Sequence, residues 1–330
     1  MFSMSINDAN NTLKLTLKGR GKTSVYNSIY VSAPFQGNLA QSLGNRRFVM
    51  RRIVGLSILV PLFSWAYSAH GEINSGVVDI PTRPGVTQRV LVSAAKAPKA
   101  AVILFAGGHG GLQLAPDGTF GWGKGNFLVR SRQLFADQGL LTIVIDAPSD
   151  RQNNPFLTSF RQTSNHVKDI KAVIAWVREQ SKLPVWLIGT SRGTQSVAYI
   201  ATELNSPDAP DGIVLTSSIL SDHKMIAVPS LPLDKVSIPV LVVHHELDGC
   251  NHCSYSDIPS LMEKLNRSPR KALLPFMDGQ SRGDPCEAMA YHGFNGIETS
   301  VVAKIANWIL QSDAVVQPFA PADAPQAARP

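Results

Sequence analysis

The sequence predicts an α/β protein: a mainly parallel sheet of about eight strands with helices on both faces and no large lid domain. Three observations predict it. Short, continuously apolar runs of strand length recur along residues 72–317. Between them lie stretches with apolar residues at helical spacing. One pentapeptide, Gly189-Thr190-Ser191-Arg192-Gly193, sits where a strand-like run, 185–188, meets a helix-like run, 194–203.

Each element follows from its own pattern. Short strands near 77–80 and 88–92 lie among Pro81, Pro84 and Gly85, which predicts an antiparallel pair. The run Ala-Val-Ile-Leu-Phe at 101–105 reads as a buried strand and opens into a glycine-rich loop, 106–111. A helix near 127–138 leads to a strand at 140–146. Val167, Ile170, Val173, Ile174 and Val177 recur at helical spacing and predict the next helix. The strand at 185–188, the pentapeptide and its helix follow. Strand runs at 212–217, 239–244 and 272–276 come next. A closing helix near 296–310 carries Ile297, Val301, Ile305 and Trp308 on one face. The tail, 318–330, is rich in Pro and Ala and is expected to be disordered. No internal repeat or second domain is visible. The loops at 111–125, 147–164 and 218–237 are expected to shape any pocket.

Charge separates the leader from the body. The net charge is +7, but residues 1–71 hold eight Lys/Arg and one acid, leaving 23 basic and 23 acidic residues in 72–330. The body is formally neutral, so the basic balance gives no support to nucleic-acid binding. Met50-Arg51-Arg52, an apolar stretch from Ile53 to Ala66 and the small residues Ser68 to Gly71 read as a secretory signal over 50–71. The stretch is short for a membrane span, which needs about 20 residues. An uncleaved N-terminal anchor is the alternative. Residues 1–49 are polar and sustain neither a helical nor a strand period for long. They read as a non-native or disordered leader, with Met50 as the start of the exported precursor. The expected destination is periplasmic or secreted.

The chemistry begins at Ser191. A strand that turns sharply into a helix holds a serine hydroxyl above the sheet, at the positive end of the helix. The flanking glycines let the backbone make that turn. Serine needs a base, and the base needs an acid to orient it. Asp248 follows the strand at 239–244, just before Gly249; Glu246 is the rival. His292, in Tyr291-His292-Gly293-Phe294, precedes the last helix and is the only histidine beyond residue 252. The other histidines after the leader (His109 in the glycine loop apart) read as structural or pocket-lining. An oxyanion needs backbone N–H donors. Arg192, the residue after the nucleophile, offers one. The loop Ala106-Gly107-Gly108-His109-Gly110-Gly111 offers the other, with Gly108 the first choice and His109 the next. The Arg192 side chain binds a substrate carboxylate, or else pairs with a nearby acid or lies outward on the first helical turn. Trp122, Phe120 and Phe127 are either pocket wall or core.

There are three cysteines, Cys250, Cys253 and Cys286. Export permits one disulfide. A Cys250–Cys286 or Cys253–Cys286 bridge would tie the acid loop to the histidine loop. A Cys250–Cys253 bridge, or a zinc site using His252, competes with it.

These motifs, in this chain order, resemble the α/β-hydrolase superfamily over roughly residues 76–312. The resemblance rests on 189–193, Asp248 and His292, with the glycine loop at 107–111 as a fourth match. The loop departs from the His-Gly-Gly-Gly order of many lipases and esterases, because its histidine lies inside the glycines. The resemblance implies a Ser191–Asp248–His292 triad that cleaves esters and related acyl bonds, with no metal or organic cofactor. The expected activity is an exported serine hydrolase that cleaves carboxylic esters of small molecules through an acyl-enzyme. A peptidase or amidase of the same fold, or a non-catalytic binding protein, is the alternative.

Overall fold

In the computed structural model residues 74–311 are described, together with 2–7, 12–17 and 29–32. The segment read as a signal, 50–71, and the tail, 318–330, lie outside the described residues. The chain divides into two units, Met1–Ala66 and Tyr67–Pro330.

The first unit holds β1 (Phe2–Asn7), β2 (Thr12–Leu17) and β3 (Ile29–Ser32) in an antiparallel sheet of that order. These are short strands within 1–49, where the sequence sustains no strand period for long. Phe2, Met4 and Ile6, and Leu13, Leu15 and Leu17, alternate with polar residues, which is the period of a strand.

The second unit is built on β4 (Gly76–Arg83), β5 (Val86–Ser93), β6 (Ala100–Phe105), β7 (Leu140–Pro148), β8 (Val185–Thr190), β9 (Gly212–Thr216), β10 (Val240–His245) and β11 (Lys271–Phe276). They form one sheet in the order β11-β10-β9-β8-β6-β7-β5-β4. β6 to β11 run parallel, and β5 pairs antiparallel with both β4 and β7. The sheet of about eight strands and the antiparallel pair at its start are therefore as the sequence predicts.

Helices cover both faces. α1 (Phe127–Arg130), α2 (Arg132–Asp137) and α6 (Glu298–Leu310) lie on one side. α3 (Ser164–Ser181), α4 (Arg192–Glu203) and α5 (Ile258–Lys264) lie on the other. Alternation along β6 shows why the strands are apolar throughout. Ala101, Ile103 and Phe105 pack towards α3 and α4, and Ala100, Val102 and Leu104 pack towards α1, α2 and α6. All six residues are buried, so neither face tolerates a polar residue.

The expected helix at 127–138 is two short ones, hinged at Ser131, whose backbone φ of −91° and ψ of 2° leave the helical region. α5 was not expected: its seven residues offer only Ile258 and Leu261 as buried anchors. β11 is an edge strand, partly exposed, and not the buried strand that its apolar run suggests.

β6 lies between β7 and β8, so the chain leaves its carboxyl end in one direction and returns on the other side. In an open parallel sheet such a switch point leaves a crevice beyond the strand ends. The loops after β6, β8, β10 and β11 all open at that carboxyl edge.

Candidate active site

Ser191 occupies the turn between β8 and α4 with φ 53° and ψ −128°, a conformation a non-glycine residue adopts only under constraint. The constraint is visible. The Ser191 N–H donates to the Thr216 carbonyl at 3.1 Å, and the Ser191 carbonyl accepts from the Thr194 hydroxyl at 2.6 Å. A Cβ on Gly193 would fall on the Phe105 carbonyl, and one on Gly189 would stand 2.5 Å from the Gly193 carbonyl oxygen. Both glycines are needed because the ends of β6 and β8 and the start of α4 share one small space.

Asp248 lies just beyond β10, where its N–H donates to the His245 carbonyl at 3.1 Å. Its side chain is fully buried. Oδ1 accepts from the Cys250 N–H at 3.0 Å, and Oδ2 is 2.9 Å from His292 Nδ1. A carboxylate so held requires the proton on Nδ1 and leaves Nε2 as the free base. His292 Nε2 is buried and has no hydrogen-bond partner. Ser191 and His292 line the same cleft, of about 320 Å³. Glu246, the rival acid, is half-buried and no carboxylate contact joins it to His292.

The histidine loop is pinned from several sides. The Ser217 hydroxyl donates to the His292 carbonyl at 2.7 Å, and Arg130 donates to the Gly293 carbonyl at 2.6 Å. Cys250 and Cys286 form a disulfide with their Cα atoms 4.5 Å apart. Cys253 is a free, buried thiol, and burial pushes it up. Of the pairings left open by the sequence, the bridge from acid loop to histidine loop through Cys250 is the one formed.

Beneath Asp248, His244 Nε2 donates to the Cys253 carbonyl at 2.8 Å and stands 3.7 Å from Asp248 Oδ2. Burial holds this imidazole below its usual range. His245 bonds to the Asp278 carbonyl and stacks on Tyr291. His252 lines the cleft. Among the described residues one group, Cys250, Cys253 and His292, has the composition of a metal site. Its Cys250 sulfur is engaged in the disulfide, and His252 is not part of it.

Gly107, Gly108 and Arg192 also line the cleft. Arg192 is the first residue of α4, where an N–H has no partner within the helix. The sequence favours Gly108 in the glycine loop, but Gly107 stands nearer Ser191: a Cβ on it would lie 2.9 Å from Ser191 Cβ. A Cβ on Gly108 would instead meet the Trp122 ring. Trp122 and Phe127 line the cleft, whereas Phe120 belongs to the core. The Arg192 guanidinium donates to Asp222 Oδ2 at 2.7 Å, and Gln195 donates to the same oxygen at 2.9 Å. The acid-paired reading of its side chain is therefore the one observed.

No family model and no curated protein matches this chain. Solved structures do. The esterase Pf2001 of Pyrococcus furiosus is similar with a TM-score of 0.51 at 12% identity, over 72% of this chain and 91% of that one. The dienelactone hydrolase of Anabaena variabilis is similar with a TM-score of 0.50 at 15% identity, over 72% and 97%. The fold is that of the α/β hydrolases.

Proposed function

We propose that this protein is an exported serine hydrolase that cleaves small carboxylic esters through an acyl-enzyme. One observation carries the reading: His292 is held by Asp248 at 2.9 Å with its other nitrogen unpartnered, in the cleft that Ser191 lines. A buried base kept without a partner, in a cleft that a strained serine also lines, is costly unless it serves chemistry.

In this mechanism His292 Nε2 takes the Ser191 proton as Oγ attacks the ester carbonyl carbon. The carbonyl oxygen becomes an oxyanion, received by the N–H of Arg192 and by the glycine loop around Gly107 and Gly108. Collapse expels the alcohol, which takes the proton from His292. Water then attacks the acyl-Ser191 ester by the same route, releasing the acid. Asp248 fixes the tautomer and stabilises the imidazolium. The residues alone suffice for these steps. The cleft volume suits short acyl and alcohol groups. An esterase and a dienelactone hydrolase share the fold, and the ester reading rests on this site's own geometry.

Export is supported by the Cys250–Cys286 disulfide, which fits an oxidising compartment. Among the described residues no helix is long and apolar enough to cross a membrane.

The test is a series of p-nitrophenyl esters of increasing acyl length, with fluorophosphonate labelling and Ser191→Ala as control. Turnover and labelling that vanish together in Ser191→Ala are expected. Activity on amides or peptides with none on esters would overturn the substrate class. No labelling of folded protein would overturn the enzyme reading in favour of a binding protein.

A further inference from the structure

Arg161 is buried behind the glycine loop, with 1% of its surface exposed. Among the described residues no carboxylate pairs with it. Its NH2 donates to the Ala106 carbonyl at 3.0 Å and to the Gly108 carbonyl at 3.2 Å. Its NH1 donates to the Ser196 hydroxyl on α4 at 3.0 Å. Nε has no partner. A Cβ on Gly110 would fall on the guanidinium, so the loop wraps it closely. Burying a cation without an anion is costly, and natural interiors avoid it where no function depends on it.

Two peptide groups respond to this contact. The bonds Ala106–Gly107 and Gly108–His109 are trans, the cis bonds being at 154–155 and 206–207. In a trans peptide the carbonyl and the N–H point in opposite directions. With both carbonyls drawn onto Arg161, the N–H groups of Gly107 and His109 face away from it. Gly107 is the residue pressed against Ser191. The loop has a second fastening: the Leu157 N–H donates to the His109 carbonyl at 3.0 Å, and the His109 ring stacks between Trp122 and Phe156.

The geometry points to Arg161 as the positioning residue of the oxyanion hole: it holds the Gly107 peptide beside Ser191 and places a buried positive charge behind the oxyanion. This rests on Ser191 being the nucleophile. The role is distinct from that of Arg192, whose side-chain charge is balanced by Asp222. Burial, and repulsion by Arg192, lower the Arg161 pKa to about 9, so the cation persists at neutral pH. The charge acts where negative charge develops, and so it favours the transition state over the bound ester.

The experiment compares wild type, Arg161→Met and Arg161→Lys, after wild type and Ser191→Ala have established whether Ser191 is the nucleophile. Removal of one oxyanion donor costs about 100- to 1,000-fold in kcat. Arg161→Met is expected to lose kcat by about 100-fold with KM within about threefold. It should weaken binding of an alkyl boronic acid, which forms a tetrahedral adduct on serine, by a similar factor. Arg161→Lys keeps the charge but has no planar fork for two carbonyls, and should lose about tenfold. If Arg161→Met does not fold, Arg161→Lys decides. A kcat in either folded variant within about twofold of wild type overturns the proposal, as does a loss carried by KM alone. Absence of turnover and of labelling in wild type would instead sink the nucleophile assignment on which it rests.

Discussion

Cys250 and Cys286 are bonded at the cleft, two residues after Asp248 and six before His292. The covalent link thus joins the loop that bears the acid to the loop that bears the base. The bridge closes a 36-residue separation. In the chain-entropy model a loop of that length contributes on the order of 4 kcal/mol. Cys286→Ser should therefore lower stability by a few kcal/mol in urea unfolding. It should also reduce kcat by about tenfold, because the Asp248–His292 alignment loosens. A variant that keeps the wild-type unfolding midpoint and kcat would show that the loops are held by Ser217 and Arg130 alone.

Asp248→Asn is expected to lower kcat by about 10⁴, through the wrong histidine tautomer, with KM little changed. Glu246→Gln should stay within about threefold of wild type. If the two effects were reversed in steady-state kinetics, Glu246 would be the acid and the 2.9 Å contact incidental.

Asp222 keeps the Arg192 charge out of play. Its side chain is 1% exposed, and burial pushes its carboxyl up. The Lys224 N–H, Arg192 and Gln195 more than offset this and hold the pKa at about 2. The pair's contribution is complete above the carboxyl's ordinary 3.8 and is lost as pH falls through about 2. Asp222→Asn should cost about 1–3 kcal/mol. By releasing Arg192 it should also lower KM for esters carrying a second carboxylate, relative to neutral ones. Equal KM shifts for both substrate types would refute the masking.

His166 is buried between Phe105 and Phe160, and neither ring nitrogen has a partner. Burial, with the Arg161 and Arg83 charges, pushes its pKa down to about 3 from 6.5. The unfolded chain binds a proton below about 6.5 that the folded one binds only near 3. Stability should therefore fall with pH across that window, by about 1.4 kcal/mol per unit. His166→Leu should flatten this acid limb. Urea titrations at pH 7, 6, 5 and 4 would measure it, and parallel curves for both proteins would sink the assignment.

The centre of the sheet was legible because β6 to β10 are buried on both faces and so read as unbroken apolar runs. The tight turn at Ser191 was legible because Gly193 admits no side chain beside the Phe105 carbonyl and Gly189 none beside the Gly193 carbonyl. The Asp248–His292 contact was anticipated from chain order. Other features leave little trace in a linear pattern. Cys250 and Cys253 are three residues apart, and only the turn geometry selects Cys250 for the bridge. Gly107 and Gly108 are identical in sequence and differ only in which neighbour they approach. Arg161 lies in a polar connection, 149–163, where nothing marks it as a buried cation. α5 is too short to establish a period, and Pro259 in its first turn reads equally well as a loop residue.

One consequence of the sheet concerns its open side. The Phe276 carbonyl accepts from the Glu246 N–H at 2.8 Å, so Phe276 faces β10. Successive residues of a strand point their peptide groups alternately, and the nitrogen of Pro275 therefore faces outward. That nitrogen carries no hydrogen. A strand from another molecule that tried to extend the ladder would find a donor missing at the last outward-facing position of β11. Among the described strands, β11 is thus a poor template for edge-to-edge growth, which guards the folded chain against self-templated polymerisation.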